Sequence, residues 1–178
     1  MNENWFEVDE GELSPTHTTL VSIVRESARG WPECPPHATA VLVFPADEEG
    51  EEEARTPRDA YGAAWDEVFA AGQAVLTLIA ELRHRDQKLV VMTLGATVAG
   101  DRLFCSERNS STCHPEPSTD IEPLEATGSP EELGRIAADW FEEIVSRSMI
   151  ELGRKPWPRS FVPKGTLLPS GHRWVRNP

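Results

Sequence analysis

The sequence predicts an α/β (or α+β) fold: a single domain whose mixed, mostly antiparallel sheet is packed by two long amphipathic helices, with an irregular basic C-terminal tail. Three observations carry this expectation. Between Thr56 and Arg85, apolar residues recur at alternating steps of four and three. From Leu89 to Val98 an apolar strand pattern runs into a Gly100-Asp101 turn. At Ser129 a capping box opens a second amphipathic pattern.

Trp5, Phe6 and Val8 interrupt an otherwise polar start, with spacing that suits a short edge strand or a docked tail. Ser14-Pro15 then offers an N-cap followed by proline at the first helical position, where its missing N–H costs nothing. Leu20, Val21, Val24 and Ala28 continue at helical steps up to Gly30, which favours helix over strand despite the β-branched content of this segment. Trp31 to His37 contains three prolines and makes a stiff connector. Ala38 to Phe44 is a short apolar run closed by Pro45, the pattern of a buried strand.

The stretch Thr56–Arg85 has the strongest helical pattern. Thr56 and Pro57 provide a start, and Tyr61, Trp65, Val68, Gly72, Val75, Ile79 and Leu82 form a seam. Ala64, Phe69, Leu76 and Leu78 widen it, so a helix over 57–84 is expected at the centre of the core, with Gly72 at a close backbone approach. Arg83, His84 and Arg85 suit the negative end of its dipole. Leu89–Val98 and Arg102–Cys105 form a hairpin, and Asn109–Thr119 is turn chemistry throughout. Asp120–Ala126 alternates weakly, and Pro123 confines it to a sheet edge. The helix over 130–147 turns Leu133, Ile136, Ala137, Trp140, Phe141 and Ile144 to one side. About four or five strands complete the expected sheet.

The chain of 178 residues suits one domain, and its 39% apolar content is ordinary for a globular protein. Its net charge of −13 is unevenly spread. Residues 151–178 set six cations against Glu151 alone, a net of +5, which leaves −18 on residues 1–150. The expected organisation is therefore an acidic domain over 1–150 with a Pro/Arg-rich tail over 151–178 docked on it. No apolar run approaches the roughly 20 residues of a membrane span. The acidic start lacks the apolar core of a secretory signal, and three cysteines without C-x-x-C spacing argue against a disulfide framework. A cytoplasmic protein with no membrane association is expected.

Phosphate-cradling Gly-rich loops, H-E-x-x-H, G-x-S-x-G and paired C-x-x-C motifs are all missing, so the sequence leans away from an enzyme. The Cys/His set is Cys34, His37, Cys105, Cys113 and His114. Thiolate and imidazole are zinc ligands, and Cys34-Pro-Pro-His37 could present two of them from one turn. Adjacent Cys113 and His114 can seldom serve one ion together, so the favoured reading makes Cys34 and Cys105 small buried hydrophobes and needs no cofactor. In the tail, Arg154, Lys155, Trp157, Arg159, Phe161, Arg173, Trp174 and Arg176 interleave cations with aromatics, as nucleic-acid sites do. An acidic body favours docking this tail on itself over holding a polyanion, so nucleic acid is not the expected partner. The expected partner is a basic protein, met through acidic surface. Asp47, Glu48, Glu49, Glu51, Glu52 and Glu53 are the densest such cluster. By charge and size alone this is the chemistry of inhibitor-like proteins of the immunity or antitoxin type.

Overall fold

The computed structural model describes residues 4–44, 74–111, 115–116, 120–152 and 159–178. The fold is α+β. Among the described residues two helices, α1 (Pro15–Ala28) and α2 (Pro130–Val145), accompany eight strands: β1 (Thr39–Phe44), β2 (Val75–Arg83), β3 (Val90–Ala99), β4 (Arg102–Arg108), β5 (Leu124–Thr127), β6 (Ser148–Leu152), β7 (Arg159–Val162) and β8 (His172–Arg176). The first five strands form one sheet in sequence order, and the last three form a second with β6 in the middle. Among the described residues every strand pair is antiparallel.

Local signals fix both helices. Ser14 Oγ accepts from the His17 N–H and Pro15 follows it, as the cap pattern requires. Ser129 and Glu132 close a reciprocal capping box at the start of α2. The two helices lie close because Gly134 leaves room for Ile23, whose Cδ1 would stand 3.0 Å from a Cβ at that position. Phe6, Trp31 and Phe141 meet in edge-on and tilted ring contacts where the helices meet the N-terminal segment. That segment is the docked tail: Phe6 is fully buried, and Trp5 Nε1 donates to the Cys34 carbonyl at 2.9 Å.

The helix expected over 57–84 is corrected across its described part. Residues Val75–Arg83 form β2, a central strand flanked by β1 and β3. Thr56, Pro57, Tyr61, Trp65, Val68 and Gly72 lie outside the described residues, as does the rest of 45–73. The physical reason is a coincidence of periods. A strand buried on both faces is a continuous apolar run, and such a run satisfies a helical seam equally well. Leu76, Leu78, Ala80 and Leu82 turn to the main core, while Val75, Thr77 and Ile79 are buried on the opposite face. Arg83, His84 and Arg85 close a strand instead of a helix. Arg83 pairs with Glu81, and the Arg85 N–H donates to the Val175 carbonyl of β8.

The hairpin of β3 and β4 turns at Gly100 (φ 59°), the position where a two-residue II′ turn needs positive φ. Beyond the core, β3 and β4 carry a buried polar cluster. Arg108 lies across Gly95, where a Cβ would come within 2.3 Å of Nε, and its Nη2 donates to Thr97 Oγ1 at 2.8 Å. Only glycine leaves that path open. The basic C-terminal tail has irregular stretches around its two short strands. Both pair with β6, which places Val175 and Arg176 fully inside.

Candidate partner-binding cleft

The residues singled out for metal chemistry do not converge. Cys34 is buried in the main core, where burial pushes its thiol up to about 11 against the opposing pull of Arg176. Cys105 is fully buried on β4, and burial raises its thiol further. His37 is exposed in a short 3-10 turn, Pro36–Ala38. Cys113 and His114 lie outside the described residues. Among the described residues no group of three or more His, Cys, Asp or Glu side chains is arranged to hold a metal ion. The raised thiols have a direct consequence, because the thiolate is the reactive form. Iodoacetamide applied to the native protein at pH 7.5 should leave Cys34 and Cys105 unlabelled, with both labelled once guanidinium unfolds the chain; peptide mass spectrometry reads each site.

Acidic residues 47–53 also lie outside the described residues, as do Arg154, Lys155 and Trp157 of the tail. The tail's remaining strand cations are engaged in ion pairs or core hydrogen bonds. Arg159, Glu151 and Arg173 form one row across β7, β6 and β8, a charge order of plus, minus, plus. Glu151 Oε1 accepts from Arg173 Nε at 2.5 Å, and Oε2 lies 3.5 Å from Arg159 Nε. His84 adds a fourth member. Its Nδ1 accepts from the Asp86 N–H, which assigns the ring proton to Nε2, 3.6 Å from Glu151 Oε1. Arg176 is wholly buried and donates to the carbonyls of Val145 and Pro32, so it satisfies the last residue of α2 at the negative end of the helix.

A different acidic surface is fully described. Pro123 cannot donate a sheet hydrogen bond and restricts Glu122 to extended backbone, so the chain enters β5 late and at the sheet's edge. Ile121 is buried just before this turn, and the C-terminal half of α2 passes alongside. Between them lies a cleft of about 460 Å³, lined by Ile121, Glu122, Pro123, Leu124, Glu125, Trp140, Glu143, Ile144 and Arg147. Trp140 and Ile144 are nearly buried and supply an apolar floor, while Glu122, Glu125 and Glu143 stand exposed around it. Arg147 is the single cation. It pairs with Glu143 at 2.5 Å and lies over the Phe161 ring at 5.5 Å.

The lining carries three carboxylates and one guanidinium, a formal charge of −2 beside an aromatic floor. Chemically this suits a cationic side chain with an apolar stem or neighbour: the carboxylates attract the charge, and Trp140 covers the carbon chain. Its lining holds no histidine, cysteine, serine or threonine. The sequence places Pro123 at an edge and Trp140 on a packing face, but nothing local signals that both line one cleft. Among the described residues no helix is long and apolar enough to cross a membrane. In comparisons with protein-family models, curated proteins and solved structures, no family model matches this chain, and no curated protein or solved structure gives a significant match.

Proposed function

We propose that the protein is a non-enzymatic binding protein that takes a basic partner protein, in an inhibitor-like role, through the cleft between β5 and α2. The observation that carries the reading is the combination of Glu122, Glu125 and Glu143 with the apolar floor of Trp140 and Ile144 in one cavity. Carboxylates alone would give loose, salt-sensitive attraction. An aromatic surface beside them adds the desolvated contact from which interface hot spots are made. The net charge of −13 acts in the same direction at longer range, raising the rate at which a cationic partner is met.

Titration with a peptide of about eight residues that alternates valine and lysine tests the site. Amide shift changes in the nuclear magnetic resonance spectrum should concentrate on residues 121–125 and 140–147. Shifts spread evenly over the acidic surface, or confined to other segments, would contradict the reading.

A further inference from the structure

The same cleft is bounded by a strand edge that no other described strand pairs, and we infer that β5 receives its partner as an added antiparallel or parallel β-strand with alternating apolar and basic side chains. This rests on the functional reading above and specifies its geometry. β5 is the last strand of the five-stranded sheet, paired on one side with β4. The Gly128 N–H donates to the Asp101 carbonyl at 3.0 Å, which fixes the phase of the ladder. In antiparallel alternation Leu124 and Ala126 then turn their N–H and C=O groups to β4, while Glu125 and Thr127 turn theirs outward. Neither outward residue has a backbone hydrogen bond to another described residue on that side. Both are exposed. Unpaired edges of this kind are templates for another chain unless they are blunted.

Here the blunting is confined to one end. Pro123 removes the next outward N–H, so the edge offers two donors and their carbonyls, enough to set the register of a short segment. Side chains on the added strand would alternate faces. Those on the side of Leu124 and Ala126 meet Trp140, Ile144 and Glu143, which favours an apolar or long-stemmed cation. Those on the opposite side meet Glu125 at the cleft's rim, which favours lysine or arginine. Main-chain hydrogen bonds would supply affinity and the acidic cleft would supply selectivity, the division of labour in strand-addition recognition.

The experiment uses the full chain and an acetylated, amidated peptide of about eight residues alternating valine and lysine. Hydrogen exchange should slow at the Glu125 and Thr127 amides when the peptide is added. Thr127→Pro, which removes one outward donor and no cleft side chain, should weaken binding about tenfold or more. Proline is tolerated at an edge position whose N–H faces outward, and a retained circular dichroism spectrum verifies folding. If the variant does not fold, exchange in the unaltered protein decides alone. Binding that leaves both amides unprotected and Thr127→Pro unaffected overturns strand addition and leaves the acidic cleft standing. Failure of the peptide to bind at all overturns both.

Discussion

Replacing Arg159 and Arg173 together with methionine should destabilise the protein by about 3–5 kcal/mol, the cost of leaving a buried charge without its partners. The charge in question is Glu151, whose side chain is 1% exposed, whereas Arg173 is 45% exposed and Arg159 27%. That difference predicts an order of effects. Glu151→Gln removes the desolvated member, and two arginines already near water can turn outward. Its cost should stay at about 1.5–3 kcal/mol, the range for losing hydrogen bonds to a charged group. Urea denaturation of both variants measures the two costs. A Glu151→Gln variant that lost as much as the double arginine variant would show that the carboxylate is not the group that needs compensation. The row also joins the two sheets: His84 reaches Glu151 from the end of β2, and Arg159 Nη1 donates to the Val91 carbonyl of β3 at 3.2 Å. The loss should therefore appear as one cooperative transition, with no separate melting of the three-stranded sheet.

Phe141→Ala should cost a further large amount, about 3–5 kcal/mol, by opening a cavity among aromatic rings. Phe141 is fully buried, with ring centroids of Trp140, Trp31 and Phe6 at 5.2, 5.4 and 6.0 Å. These rings come from α2, from the connector after α1 and from the N-terminal segment, so one side chain holds three parts of the chain. For a chain of this size the expected drop in melting temperature is about 6–20 °C. A shift under about 2 °C would mean that the rings close over the gap and that this cluster contributes little. Because Phe6 holds a positive φ of 50°, strained for a residue with a side chain, it relies on these neighbours. Hydrogen exchange near Phe6 should accelerate in the variant.

What the sequence disclosed follows a physical division. Signals confined to a few residues were legible: Ser14-Pro15 for α1, Ser129 to Glu132 for α2, Gly100 for the hairpin and Pro123 for the edge strand. Those motifs act through their own backbone and need no distant partner. β2 was not legible, because a strand buried on both faces lacks the alternation that separates it from a helix. The second sheet was hidden for another reason. Its strands are short, and its centre is Glu151, one acid among six cations between residues 151 and 178. That lone acid was the available signal, since a carboxylate surrounded by arginines in sequence is well placed to be their common partner in space. The cleft depends on β5 lying against the end of α2, a tertiary juxtaposition for which the intervening sequence carries no code.

In the proposed function the charge arranged around this cleft, and not the overall charge of the chain, recognises a basic partner. Its most direct test compares two charge reversals of equal size at matched ionic strength. Glu122→Lys with Glu143→Lys alters the cleft; Glu7→Lys with Glu12→Lys alters exposed acids that do not line it. Fluorescence anisotropy of the labelled valine–lysine peptide gives each dissociation constant. The cleft pair should weaken binding by about tenfold or more, and the control pair by about twofold at most. Equal losses in the two variants would contradict recognition by the cleft, because net charge alone would then explain the binding.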